Sequence, residues 1–176
     1  IKIILNLGDT FDRRKMINFY TLQKAKDFFF SEIAKREIQY HAISGNHDVF
    51  YTNTNGINSI DLLLGEYGGF NVYSNEPIEL EFDGLRVLMC PWLTKDNTEK
   101  SLHAIKKSSA SHLMGHFSIV GFEMIKGSLC DHGLDAELFK SFESVYSGHF
   151  HHPSTLGNIK YLGAPYEMNW GDSGGN

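Results

Sequence analysis

Three short stretches of the chain carry side chains that ligate metal ions, and each follows an apolar, β-rich run. Gly8-Asp9-Thr10-Phe11-Asp12 follows Ile1 to Leu7, Gly45-Asn46-His47-Asp48 follows Ile38 to Ser44, and Gly148-His149-Phe150-His151 follows Val145 to Ser147. A fourth pair, Gly115-His116, closes the run from Ser111 to Met114. Strand ends that carry Asp, Asn and His imply one ligand cluster at one edge of a sheet, where open α/β sheets place their sites. Asp9, Asn46, His116, His149 and His151 offer carboxylate, amide and imidazole. This mixed oxygen and nitrogen set suits Mn²⁺ or Fe²⁺ better than Mg²⁺. Soft thiolate sites are not indicated, since Cys90 and Cys130 form no CxxC pair.

His149 and His151 are two residues apart in a segment expected to be extended, which puts both side chains on one face. They are too far apart to chelate one ion comfortably but can bind two adjacent ions, which a carboxylate such as Asp9 can bridge. Two ions roughly 3.5–4 Å apart suit in-line attack on phosphorus by a bridging hydroxide. His47 is then left off the metals, near the leaving oxygen, as proton donor or transition-state hydrogen-bond donor. Such a histidine is oriented through its other ring nitrogen, and Asp12, one short turn beyond Asp9, is the candidate for that role. Arg13, Arg14 and Lys15 form a basic run beside the site, read either as contacts to a phosphate backbone or as a solvated helix start.

The elements that must position these groups are legible in outline. Ile1 to Leu7 has the composition of a strand buried on both faces. Leu22, Ala25, Phe29 and Ile33 keep helical spacing, so an amphipathic helix is expected over residues 18–36. With the strand ending at Ser44 these make a βαβ unit. A short helix suits residues 57–64. Ile78, Leu80 and Phe82 alternate, Asp83-Gly84 turns, and Leu85, Val87 and Met89 alternate back, which is a hairpin. Thr94 or Asp96 is expected to cap a helix running to about Lys107, and Asp135 one over residues 136–142. A last strand over residues 158–162 stops at Gly163-Ala164-Pro165.

The 176 residues suffice for one domain with a substantial core. A hydrophobic fraction of 41% with 21% charged residues is that of a soluble globular chain, and no apolar run is long enough to span a membrane. No secretory signal is visible, so the two cysteines read as free thiols of a reducing cytoplasm. The net charge of −5 argues against a strong sequence-independent grip on nucleic acid. It leaves room for a metal-centred nuclease, because bound ions neutralise the carboxylates of such a site. The chain opens on Ile1, already within a strand, and closes on the polar run Gly171 to Asn176, the expectation for a segment of a longer polypeptide.

In their order, GDTFD, GNHD, MGH ending at His116 and GHFH resemble the calcineurin-like metallophosphoesterases over nearly the whole chain. Ser108 to Ser111 before His116, the GHFH loop, and Tyr161-Leu162-Gly163-Ala164-Pro165 narrow the likeness to SbcD-type nucleases of DNA double-strand-break repair, and within these to the recombination endonuclease subunits of tailed phages. The resemblance implies a four-layer α/β/β/α sandwich. It implies that Asp9 bridges two divalent ions, Mn²⁺ foremost with Mg²⁺ or Fe²⁺ as alternatives. Asn46, His116 and His149 would complete one site, His151 would belong to the other, and His47 would be catalytic. DNA as substrate, an SMC-like coiled-coil ATPase as partner, a homodimer and a cytoplasmic setting (the host's, for a phage protein) are implied as well. The family opens with Asp-x-His on its first strand, and no residue before Asp9 supplies it. That departure, with the DNA-capping and ATPase-docking segments also missing, implies truncation at both ends.

Other readings stand beside this one. A phosphomonoesterase or protein phosphatase shares the stretch from Asp9 to Arg13 but generally lacks GHxH. A cyclic-nucleotide phosphodiesterase shares GNHD and GHxH but not the sequence from Ser108 to His116. A non-catalytic scaffold on the same fold would have lost ligands. Among the remaining histidines, His41 reads as core or sheet-face, His103, His112 and His132 as ordinary surface or helix residues, and His152 as the solvent-side neighbour of His151 or a contact behind the ligands. Asp48 reads as a turn-former or a supporting group rather than a ligand, and Phe28-Phe29-Phe30 as packing.

Overall fold

The computed structural model describes residues 1–125, 127–168 and 170, so the closing polar run lies outside the described residues. Two sheets organise the chain. One is parallel and three-stranded in the order β1-β2-β3 (Ile3–Asn6, Gln39–Ile43, Phe70–Tyr73). The other is mixed and six-stranded, in the order β10-β11-β9-β6-β5-β4. Its strands are β4 Ile78–Phe82, β5 Leu85–Cys90, β6 His112–His116, β9 Ser144–Gly148, β10 Ser154–Leu156 and β11 Ile159–Tyr161. A small antiparallel pair, β7 Glu123–Ile125 and β8 Ser128–Leu129, stands apart.

Alternation along the strands builds the layers, because successive side chains leave opposite faces. On β2, Tyr40 and Ala42 face Phe30, Ile33, Ile60 and Leu64 of the covering helices. Ile43 faces the other way, into a cluster with Val87 and Met89 of β5 and with Leu5, Tyr73 and Met114 beside them. Leu88 and Cys90 then point beyond the second sheet to Leu113, Val145, Ile105 and Phe139. Three apolar interfaces therefore separate four layers: helices, three-stranded sheet, six-stranded sheet, helices. This is the expected α/β/β/α sandwich.

The first helical layer departs from a continuous helix. Asn18 caps α1 (Phe19–Ala25) by accepting from the Tyr20 and Thr21 N–H groups. A π-helical turn follows over Lys26–Phe30, and α2 covers Ser31–Lys35. The wider turn inserts one residue into the helical count. Phe30, 2% exposed, therefore takes the buried place that spacing assigned to Phe29, which is 48% exposed. The first strand is also corrected: β1 lies at a sheet edge, and all four of its residues are only half-buried.

Further corrections are local. Neither Thr94 nor Asp96 caps the helix after β5. Asn97 holds the cap position of α4 (Thr98–Lys107), and Thr94 contributes its carbonyl, which accepts from the Asn97 and Thr98 N–H groups. Asp135 does cap, through the Glu137 N–H, but the element is a short 3-10 helix over Ala136–Phe139. The hairpin is as expected, with Asp83 and Gly84 both at positive φ in the turn. α3 occupies Ser59–Leu64.

The register shift yields a test by denaturant unfolding. Phe30→Ala should cost about 3–5 kcal/mol, the usual range for emptying a buried Phe site. Phe29→Ala should cost about 1 kcal/mol, because its ring is only half withdrawn from water. Equal costs would contradict the inserted turn.

Candidate metal centre

β2 and β6 run parallel to their neighbours in different sheets, and the loops after β1, β2, β6 and β9 meet beyond their C-terminal ends. Oxygen or nitrogen atoms of Asp9, His116 and His149 lie within 4.8 Å of one another. Asn46 completes the group: its Oδ1 is 3.0 Å from His116 Nε2 and 2.9 Å from His149 Nδ1. Asp9 Oδ2 is 3.3 Å from the same His116 Nε2. One carboxylate, one amide oxygen and two imidazole nitrogens thus converge, and this donor set fits a borderline divalent cation.

Each ligand is held from behind. His116 is fully buried, and its Nδ1 donates to the Leu7 carbonyl at 2.7 Å, which leaves Nε2 directed at the cluster. His149 Nε2 lies 3.1 Å from the Ser118 hydroxyl, which leaves Nδ1 toward Asn46. Such outer contacts fix the ring orientation and the tautomer of a metal-binding histidine. The Trp92 ring packs on both imidazoles, with centroids 5.1 Å from His149 and 5.8 Å from His116. Asp9 and His149 both take positive φ, 53° and 87°, a conformation uncommon for residues with a side chain and typical of functional loops.

Asp48 is the fastener of this arrangement. It is 1% exposed, and its carboxylate accepts from the backbone N–H of Asp9 at 2.7 Å, Gly45 at 2.8 Å and Thr10 at 3.1 Å, and from the Ser59 hydroxyl at 3.1 Å. The loops after β1 and β2 are thereby joined through one side chain. Gly45 permits the approach, since a Cβ there would lie 2.2 Å from Asp9 Oδ1 and 2.7 Å from His116 Cε1.

His47 stands beside the cluster without joining it. Its backbone N–H donates to Asp9 Oδ1 at 2.8 Å, and its ring Nδ1 hydrogen-bonds the carbonyl oxygen of Asp12. This corrects the expected role of the Asp12 side chain: Asp12 touches His47 through its main chain, while its carboxylate is exposed, 3.8 Å from the Arg13 Nε. Arg13 is exposed and Arg14 half-buried on the loop that follows. His151 is half-buried and does not belong to the converging trio. The extended segment expected from His149 to His151 is not formed, because β9 ends at Gly148 and the positive φ of His149 turns the chain. His41 is core, with Nδ1 3.1 Å from the Tyr73 hydroxyl, and His152 is buried and not on the solvent side as expected.

Trp92, Ser118 and the Leu7 carbonyl were not singled out from the sequence. Trp92 had a readable signal, since it follows a strand end, Cys90-Pro91, as the ligands do. Ser118 and Leu7 had none, because their contacts exist only once the two sheets bring the ends of β1, β6 and β9 together.

The charges are arranged for a cation. Burial alone would raise the Asp9 pKa, but the charge and hydrogen bond of His116 and the His47 N–H outweigh it and draw the group down to about 2. Burial, followed by the positive charge on His116, holds His149 down to about 3, so its ring is neutral at ordinary pH. Burial works against a charged His116, yet the Asp9 and Asp48 carboxylates and the Leu7 carbonyl prevail and raise its pKa. Burial pushes Asp48 up, opposed by the Gly45 N–H.

Residues 1–153 match the calcineurin-like phosphoesterase family, and the chain belongs to it. The chain is also 37% identical over 168 residues to a protein of Enterobacteria phage T4 named "Exonuclease subunit 1". That alignment covers 96% of this chain and 49% of the phage protein, so the chain spans about half the length of the curated relative it matches.

Two predictions follow from the geometry. Asp48→Ala strands three backbone donors, each costing roughly 1–3 kcal/mol when buried and unpaired, so stability should fall by at least about 3 kcal/mol. The exposed control Asp131→Ala should change stability little, and comparable losses would contradict the fastening role. Metal affinity should also follow one proton. Asp9 is already ionised and His149 already neutral, so only His116 must release a proton when a cation binds. Below its raised pKa, calorimetry should show affinity falling as pH falls, with a slope of about one proton per ion and not two.

Proposed function

We propose that the chain is the catalytic domain of a metal-dependent DNA phosphodiesterase, an endo- and exonuclease of recombination and double-strand-break repair. The observation that carries this reading is the convergence of Asp9, Asn46, His116 and His149 with His47 held beside them by a main-chain carbonyl. The named exonuclease activity of the phage relative supports DNA over a small phosphomonoester. A scaffold role is disfavoured because every expected ligand from Asp9 onward is present.

A divalent ion bound here, Mn²⁺ foremost, would supply a Lewis acid for the phosphate oxygens and an activated water. Asp9, Asn46, His116 and His149 would hold it, and Asp9 with His151 is the proposed seat of a second ion. His47, with Nδ1 hydrogen-bonded to the Asp12 carbonyl, would present Nε2 to the leaving oxygen as a proton donor or a transition-state hydrogen-bond donor. Arg13 and Arg14 contact the phosphate backbone on the flank of the site.

The relative is named as a subunit, which supports a partner, and we take this to be an SMC-like coiled-coil ATPase working on DNA in the cytoplasm. No helix among the described residues is long and apolar enough to cross a membrane. A homodimer is part of the same proposal. Met16, Phe50, Ile57 and Leu62, which are 65%, 36%, 50% and 74% exposed, form the apolar part of a depression whose lining also includes Arg13, Arg14 and Lys15; the apolar part suits a second copy and the basic part stays turned to the phosphate backbone. Leu62→Asp should turn a dimer into a monomer by light scattering while Mn²⁺ binding persists.

Parallel assays of the full-length protein on plasmid, hairpin and p-nitrophenyl phosphate test the reading. DNA should be cut with Mn²⁺, and the phosphomonoester poorly. His47→Ala should lose on the order of 10²–10⁴ in rate with metal stoichiometry kept. Asp12→Asn should stay close to wild type, since the contact is to its backbone. Preference for the monoester, activity that survives chelation, or loss of metal in His47→Ala would overturn the proposal.

A further inference from the structure

Trp92 lies between β5 and α4, beside the converging ligands. Among the described residues it belongs to none of the three apolar clusters that separate the layers, so its indole is not filling the core. It is half-buried, and the rings it meets are those of His149 and His116. Their centroids lie 5.1 and 5.8 Å away, with interplanar angles of 44° and 80°. Its main chain is pinned on both sides. The Trp92 N–H donates to the Ser44 carbonyl at 2.8 Å. Its carbonyl accepts from Asn55 Nδ2 at 2.9 Å and from Asn97 Nδ2 at 3.0 Å, both side chains being buried. The same two amides tie it to neighbouring turns, Asn55 Nδ2 donating also to the Ser74 carbonyl and Asn97 Nδ2 to the Asn75 carbonyl. Trp92 therefore presents its indole from a fixed backbone.

The two imidazoles differ in how much they need such a wall. His116 is fully buried, with Nδ1 bound to the Leu7 carbonyl, so its ring is set without help. His149 sits past the end of β9 at positive φ. Its Nε2 is held by the Ser118 hydroxyl at 3.1 Å, a group that rotates to suit its partner. One bond of this kind does not fix the plane of a ring, so ring contacts must supply the rest. Phe150 meets His149 at 5.0 Å and is itself stacked on Tyr161 at 4.6 Å, whose hydroxyl donates to the Phe117 carbonyl. Trp92 supplies the second ring contact from outside the ligand set. Ring pairs prefer particular offsets and tilts, so the indole restrains the angle of the imidazole as well as its position.

We propose that Trp92 is a positioning residue of the metal centre: its indole sets the plane of the His149 ring and so aims Nδ1 at the cation. Ser44, Asn55 and Asn97 act one step further out, by holding the Trp92 backbone. The inference rests on the metal-centre reading and adds to it a residue that touches neither ion nor substrate.

Calorimetric titration of the full-length protein with Mn²⁺ tests it. Trp92→Leu, and Trp92→Met as a second non-aromatic replacement, should weaken Mn²⁺ binding by about tenfold or more, the usual cost of losing a group that orients a ligand. Trp92→Phe keeps a flat ring and should stay near wild type. Pulsed EPR of the bound Mn²⁺ should show weakened imidazole-nitrogen coupling in Trp92→Leu and unchanged coupling in Trp92→Phe. A cycle with Ser118→Ala separates positioning from general support. If hydroxyl and indole act on one ring, the double variant Ser118→Ala/Trp92→Leu should lose less affinity than the product of the two single losses. Wild-type affinity in Trp92→Leu or Trp92→Met, an equal loss in Trp92→Phe, or losses that simply multiply would overturn the positioning role and leave the metal centre standing. Absence of Mn²⁺ binding in the wild type would overturn the metal centre itself.

Discussion

The Asp48 carboxylate is the interaction on which the candidate metal centre depends. Asp9, Thr10 and Gly45 have backbone N–H groups that no strand can pair, because each lies just past the end of β1 or β2. Buried donors of this kind need an acceptor, and one buried carboxylate with four lone-pair directions serves several at once. The same bonds set the course of both loops. Asp9 is carried into its left-handed turn with the carboxylate facing His116, and the Gly45 turn brings Asn46 and His47 against it. Positive φ at Asp9 is tolerated because its surroundings over-determine it.

The second constraint is the meeting of two sheets. The cluster needs the loops of β1 and β2 from one sheet and the ends of β6 and β9 from the other. The sheets are held face to face by Ile43, Val87 and Met89, which are fully buried between them. The register is fixed from the chemistry side as well. The bond from His116 Nδ1 to the Leu7 carbonyl crosses from one sheet to the other while it orients a ligand. Packing and ligand geometry are therefore not independent, and a slip between the sheets would part Asn46 from His116 and His149.

Much of this was legible in residue order. Strands were readable where apolar runs ended in Gly followed by a ligand type, because a buried parallel strand and a polar loop differ sharply in composition. The Ile78 to Met89 hairpin was readable from its period of two and its Asp83-Gly84 turn. The register of the first helix was not, because the π-helical turn at Lys26–Phe30 changes the helical count without an apparent mark in the sequence. β3 was not anticipated, since Phe70–Tyr73 is short and takes its strand character from pairing with β2. At the site, residue types picked out Asp9, Asn46, His116 and His149, which converge, but not the groups that support them. Whether Asp12 acts through carboxylate or carbonyl, and which nitrogen of His149 faces inward, are set by loop conformation.

The central proposal is that Asp9, Asn46, His116 and His149 form a cation site whose ligands are positioned before the ion arrives. Anomalous diffraction at the manganese edge, on crystals equilibrated with Mn²⁺, tests it most directly. A strong peak should appear within about 2.0–2.3 Å of Asn46 Oδ1, His116 Nε2, His149 Nδ1 and an Asp9 carboxylate oxygen. The His47 ring should still rest on the Asp12 carbonyl. A principal peak elsewhere, or one coordinated by His47 or Asp48, would contradict the account.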